Sequence, residues 1–127
     1  MTQTIVETVE MQVEITKPQP QDLAIGIDIG GTGMKGGIVD TRTGNLVSER
    51  FRIPTPSPAT PEACAEVVVQ IVNELQSREL APEPNSPIGI DFPAVVKNGV
   101  TLSAANVDES WIGADLEGIM TEALGGR

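Results

Sequence analysis

Apolar residues follow two different periods along the chain. From Leu23 to Ile29 they form a short run broken only by Gly26 and Asp28, and its β-branched character and length predict a buried strand with Asp28 near its end. Met34 to Thr41 and Leu46 to Ile53 read as two more strands, joined through Thr43-Gly44-Asn45 into an antiparallel meander. The period then changes. Cys64, Val67, Val68, Ile71, Val72 and Leu75 recur at helical spacing, so one stripe should pack on a sheet, with Cys64 as a small buried hydrophobe. Thr60-Pro61-Glu62 supplies that helix with a cap, a proline at its first position and an acid near its positive end.

Ile88 to Phe92 is a second short apolar strand, expected to lie parallel to the first across a β-α-β crossover. Val95 to Leu102 predicts a hairpin turning at Asn98-Gly99. Leu116, Ile119, Met120, Ala123 and Leu124 give a second helical stripe closed by Gly125-Gly126. Residues 1–22 read as a mobile leader, whose alternation at Val9, Met11, Val13 and Ile15 is cut off by Pro18 and Pro20. The pattern as a whole predicts an α/β domain over residues 23–127 with a mixed sheet, and no internal repeat or low-complexity segment.

The first strand ends in a carboxylate and a glycine-rich turn, a combination that is costly unless something binds there. Gly30-Gly31-Thr32-Gly33 can adopt positive φ and let successive amides converge on an anion, with the Thr32 hydroxyl and Lys35 close by. Two other phosphate motifs compete for these residues. Gly31 to Gly36 satisfies G-x-G-x-x-G, and Glu49 lies near where a ribose-binding acid would be wanted, but a dinucleotide turn must open a helix. Gly36-Gly37 and the β-branched Ile38 and Val39 argue for a strand instead. A Walker A loop fails because Met34 precedes Lys35 and Gly36 follows it. A β-hairpin therefore holds the anion.

Composition narrows the partners. The chain has 127 residues, a formal net charge of −10 and no histidine. That size suits one domain. Nucleic acid is excluded as a partner by the acidity, and imidazole metal ligation by the missing histidines. The one cysteine, the lack of a signal-peptide pattern and the lack of a long apolar stretch point to a cytoplasmic protein with no membrane partner.

The run from Ile25 to Asp40 resembles the first phosphate motif of the ROK (repressor, open reading frame, kinase) family, which has the actin-like ATPase, ribonuclease H-like fold. Glu49-Arg-Phe-Arg-Ile-Pro-Thr-Pro56 and the segment from Ala104 through Trp111 to Gly113 are similar, within that family, to the actinobacterial polyphosphate glucokinases. The resemblance runs from about Leu23 to the C-terminus. It implies transfer of a terminal phosphoryl group from polyphosphate or ATP to the 6-hydroxyl of glucose, with Mg²⁺, in a protein that is a homodimer when full length. It also implies that these residues are an N-terminal half. The Asn-Asp pair whose aspartate takes the sugar proton is expected beyond Arg127, so the chain alone should be inactive.

Carried over residue by residue, the resemblance puts Mg²⁺ at Asp28, through water, and the transferred phosphate at Gly30, Gly31, Thr32 and Gly33, with Lys35 adding charge. The sugar would lie against Pro93 and Ala94, where Ala94 replaces the usual glycine, and near Asn106. Trp111 reads equally as a sugar platform or as a core anchor. Arg42, Arg50 and Arg52 could form a local track for a polyanion, although arginines on a hairpin are commonly a solvated face. Two other classes share the pattern: a noncatalytic sugar- or phosphate-binding remnant, which an activity assay would separate, and a ROK-type regulator. A regulator should carry a basic helix-turn-helix, which Met1 to Asp22 does not resemble.

Overall fold

The computed structural model describes residues 16–93, 96–102 and 107–127. Most of the expected leader, and the expected sugar contacts Ala94 and Asn106, lie outside the described residues. The chain enters through a 3-10 turn at Pro20–Asp22, and the Asp22 carbonyl accepts from both the amide and the hydroxyl of Thr41 at 2.8 Å.

Strands β1 (Leu23–Ile29) and β2 (Gly33–Asp40) form the antiparallel centre of the sheet. The expected third strand is split into β3 (Asn45–Leu46) and β4 (Phe51–Pro54), both pairing with β2. A side-chain contact marks the break: the Ser48 hydroxyl, in place of a backbone carbonyl, accepts from the Ile38 amide at 2.9 Å. Helix α1 (Pro61–Gln76) starts where its cap predicts, with the Thr60 hydroxyl accepting from the Ala63 amide at 3.2 Å. It crosses to β5 (Ile88–Asp91), which lies parallel to β1, giving the order β3-β2-β1-β5 with β4 beside β2.

The parallel pairing holds a repeat that the chain-wide pattern hides. Ile25-Gly-Ile-Asp28 and Ile88-Gly-Ile-Asp91 are identical, and they sit in exact register, Gly26 against Gly89 and Asp28 against Asp91. The expectation of no internal repeat therefore fails at four residues. In each copy the isoleucines are the more buried residues, on one face, and the glycine and aspartate lie on the other, as strand alternation requires.

The core lies between the sheet and the helices. Ile25, Ile27, Ile29, Met34 and Ile38 meet the predicted stripe of α1, in which Cys64, Val68, Ile71 and Leu75 are fully buried. Burial pushes the Cys64 thiol pKa up, which fits the small buried hydrophobe expected. Gly36 is needed for this approach, because a Cβ there would collide with Ile71 and come within 3.0 Å of Leu75 Cδ1. The covered row of β2 ends on buried Asp40, held by Arg42 at 3.0 Å, and that guanidinium keeps the Asp40 carboxyl below its ordinary pKa.

Beyond β5 the hairpin forms as β6 (Val96–Lys97) and β7 (Val100–Thr101), with Asn98 at φ 53° and Gly99 at φ 78°. Helix α2 (Leu116–Ala123) packs on α1 and ends with Gly125 and Gly126 at positive φ. Trp111 joins these parts. It is fully buried, donates from Nε1 to the Ala59 carbonyl at 2.9 Å and lies 4.5 Å from the Phe92 ring. The indole is thus a core anchor and not an exposed sugar platform.

Candidate functional site

The turn between β1 and β2 is built from its carbonyls. Gly30 donates its amide to the Gly33 carbonyl at 3.0 Å, closing a four-residue loop. The Gly30 carbonyl accepts from the Thr55 hydroxyl at 2.6 Å, and the Thr32 carbonyl accepts from the Thr55 amide at 3.2 Å and from Arg52 Nη2 at 3.0 Å. Three acceptors of the turn are thereby consumed by protein donors. The amides of Gly31 and Thr32, both exposed, donate to no group among the described residues. With three of its four carbonyls taken and the Gly31 and Thr32 amides left over, the loop presents more free donors than acceptors, the polarity an anion requires.

Two details depart from the sequence expectation. Gly30 and Gly33 do not have positive φ, so the glycines are there for space. A Cβ on Gly30 would sit 2.6 Å from the Gly33 carbonyl oxygen, and one on Gly33 would fall on the Arg52 guanidinium, 2.6 Å from its Cζ. The Gly30 amide is also occupied internally, which leaves the Gly31 and Thr32 amides and the Thr32 hydroxyl as donors.

Asp28 lies two residues before the turn, exposed on the sheet face opposite α1. Its cross-strand partners are Lys35 on β2 and Asp91 on β5, and all three line an open cavity of about 560 Å³. The floor of that cavity includes Gly37, Gly26 and Gly89, which follow one another across three strands. A Cβ on Gly26 or Gly89 would meet nothing within 4 Å, so these glycines are not demanded by packing among the described residues. Arg50 and Leu46 complete the far wall.

Pro93 lies two residues beyond β5, whose end is beside the end of β1, so it emerges at the same end of the sheet as the glycine turn. Asp28, the turn, Lys35 and Pro93 are therefore gathered at one end of the sheet. Arg42 is not among them, being tied to Asp40 and Asp22 at the other end of β2. The sequence pattern does not single out Asp91. The second Ile-Gly-Ile-Asp is the signal that could have found it, because two identical strands in a β-α-β unit place their aspartates together.

Among the described residues there is no group of three or more carboxylate or thiol side chains able to hold a metal by themselves. The oxygen donors of Asp28 and Asp91 nevertheless fit Mg²⁺, which commonly takes one or two carboxylates and completes its shell with water and substrate phosphates. No helix of the described residues is long and apolar enough to cross a membrane.

The model of the ROK family matches residues 24–125. The chain is 45% identical over 102 residues to the polyphosphate glucokinase of Mycobacterium tuberculosis strain H37Rv, covering 80% of this chain and 36% of that protein. It is 43% identical over 99 residues to the polyphosphate glucokinase of Mycobacterium leprae, covering 78% and 28%. The chain thus spans about a third of the length of these relatives. Among solved structures, the inorganic polyphosphate/ATP-glucomannokinase of Arthrobacter sp. strain KM superposes with a TM-score of 0.79 at 55% identity, over 81% of this chain and 41% of that one. A ROK family glucokinase from Streptomyces griseus, in complex with glucose and AMPPNP, superposes with a TM-score of 0.67 at 30% identity, over 81% and 30%. The hairpin, the crossover and the parallel β5 are accordingly part of the actin-like ATPase fold of these sugar kinases. With the family match covering nearly all of the described sheet and both helices, the chain belongs to the ROK family.

Proposed function

We propose that this chain is the donor-binding part of a glucokinase that moves the terminal phosphoryl group of polyphosphate or ATP onto the 6-hydroxyl of glucose. The observation that carries the reading is the polarity of the glycine turn, with three of its four carbonyls bonded to protein donors and the Gly31 and Thr32 amides left over near Asp28. The curated relatives of the chain are named polyphosphate glucokinases, which supports the donor and the acceptor.

Phosphoryl transfer requires mainly positioning and neutralisation of charge. The Gly31 and Thr32 amides and the Thr32 hydroxyl would orient the terminal phosphate, and Lys35 would offset its charge. Asp28, with Asp91 at its side, would hold Mg²⁺, which when bound supplies charge neutralisation on the phosphate oxygens. Pro93 would bring backbone of the acceptor side against the turn. The sequence contains no Asn-Asp dipeptide, so the base expected from the family resemblance is not among these residues. A general base is worth about 10²–10⁴-fold, and on that ground the chain alone does not phosphorylate glucose.

The test is calorimetric titration of tripolyphosphate and ATP, with Mg²⁺, into the chain and into Thr32→Val and Asp28→Ala. Both variants are expected to bind at least about 10-fold more weakly, the loss typical of a residue supporting a metal or charge-assisted contact. Binding unchanged in both variants would remove the turn from the function. Glucose 6-phosphate formed by the purified chain and lost in Asp28→Ala would show that the base is not needed from elsewhere.

A further inference from the structure

The glycine turn is held from outside by a residue to which the sequence pattern gives no role. Thr55 follows β4 directly, is half-buried, and bonds two different peptides of the turn. Its amide donates to the Thr32 carbonyl at 3.2 Å, one step past the pairing of Gly33 with Pro54. That bond joins backbone to backbone and is open to any residue except proline. The second bond needs a side-chain donor: the Thr55 hydroxyl donates to the Gly30 carbonyl at 2.6 Å, across 25 positions of sequence.

What the hydroxyl controls follows from peptide geometry. The carbonyl of Gly30 and the amide of Gly31 belong to one planar trans unit and point in opposite directions. A bond that holds the Gly30 oxygen toward Thr55 therefore turns the Gly31 amide away from Thr55, to the side where it donates to no group among the described residues. This peptide lies between two glycines, so no Cβ on either side resists its rotation. Rotated by half a turn, it would present the Gly30 oxygen, an acceptor, where a phosphate needs a donor. The carbonyl of Gly31, on the next peptide, accepts from no group among the described residues, so the Thr55 hydroxyl acts on the Gly31 amide in particular.

We propose that Thr55 is a positioning residue of the donor site, whose hydroxyl fixes the peptide between Gly30 and Gly31 in the orientation that aims the Gly31 amide at the terminal phosphate. The inference rests on the donor-site reading above and goes further by giving the polarity of the turn a cause in a side chain that need not touch the donor.

The test is titration of tripolyphosphate, with Mg²⁺, into the wild-type chain, Thr55→Val, Thr55→Ala and Thr55→Ser, read by calorimetry and by the backbone amide signals of ¹⁵N-labelled protein. Valine keeps the shape of the side chain and the backbone bond to Thr32, and removes only the hydroxyl donor. Thr55→Val and Thr55→Ala should bind about 5- to 10-fold more weakly, the scale of one net hydrogen bond acting on the orientation of the peptide. Thr55→Ser, which restores the donor, should stay within about 2-fold of wild type. The salt dependence should match wild type in all three, because no charge is removed. In the wild-type chain tripolyphosphate should move the Gly31 and Thr32 amide signals more than that of Gly30, whose amide is bonded to Gly33. In Thr55→Val the Gly31 response should fall below that of Thr32.

The role is overturned if Thr55→Val binds within about 2-fold of wild type, a loss smaller than one hydrogen bond. It is overturned equally if Thr55→Ser is as weak as Thr55→Val, or if the Gly31 amide responds in Thr55→Val as it does in wild type. A wild-type chain in which tripolyphosphate moves Thr32 but leaves Gly31 unmoved overturns it without any variant. Those results leave tripolyphosphate binding at the turn standing, whereas a wild-type chain that does not bind tripolyphosphate overturns the donor-site reading together with the role of Thr55.

Discussion

The two faces of the sheet are made by alternate residues of the same strands and behave as different materials. On the covered face, Ile25, Ile27, Met34, Gly36 and Ile38 meet α1 with essentially no exposed surface, and a single added methyl at Gly36 would strike Ile71. On the open face, Gly26, Asp28, Lys35, Gly37, Gly89 and Asp91 line a cavity, and a methyl at Gly26 would meet nothing. Glycine thus occurs on both faces for opposite reasons, close packing on one and empty space on the other. The contrast shows that stability and binding are assigned by parity along each strand, so one sequence position decides which property a substitution affects.

The largest test of this division is Trp111→Ala. The indole ties the Ala59 carbonyl to the segment before α2, and its loss should lower stability by about 3–5 kcal/mol and abolish a cooperative thermal transition. If the transition persists within a few degrees, the covered layer is not held through that anchor. Asp28→Ala comes next and should act in the reverse sense. Mg²⁺-dependent tripolyphosphate affinity is expected to fall about 10- to 100-fold, while stability stays within about 0.5 kcal/mol because the side chain is exposed. A stability loss as large as the binding loss would mean that the open face is structural after all.

A matched pair sharpens the comparison at equal chemistry. Gly36→Ala should cost about 1–3 kcal/mol in urea unfolding, and Gly26→Ala, one row away on the other face, should stay within about 0.5 kcal/mol. Equal costs would erase the distinction. Gly26→Ala also asks whether a bound donor uses the smooth floor, since a methyl there would weaken only a ligand that lies directly on it.

The smallest effect concerns the one acid on the covered face. Arg42 holds the folded-state pKa of Asp40 below its ordinary value of 3.8, so the pair contributes stability above that value and loses it as pH falls through the lower folded value. Arg42→Gln should therefore lower Tm at pH 7, and the difference from wild type should shrink below pH about 4 and vanish in stronger acid. A difference that persists unchanged in stronger acid would assign the loss to something other than the ion pair.

Much of this architecture is legible from local signals. The Thr60-Pro61 start of α1, the Asn98-Gly99 hairpin and the Gly125-Gly126 stop are set by backbone preferences of a few adjacent residues, and all appear where those residues stand. The strand that carries Asp28 near its end and the turn after it are equally local. The split between β3 and β4 was not legible, because it depends on the Ser48 hydroxyl reaching Ile38 ten residues away. Nor was the conformation of the glycines: their sequence permits positive φ, but Arg52 and the Gly33 carbonyl occupy the space and call for small residues instead.

What the sequence determined by itself is the placing of a carboxylate beside a glycine-rich hairpin turn, the pattern on which the proposed phosphate and cation site rests. Only the tertiary structure decided which charges share that site. The parallel register of β1 with β5 brings Asp91 beside Asp28 across more than sixty residues of chain, and the pairing of β2 with β4 puts Arg52 beside Lys35 while Arg42 is taken by Asp40. Propensity and periodicity act over a few residues, but strand register is chosen by burying every isoleucine of one face at once, and the charges on the other face are carried along with that choice.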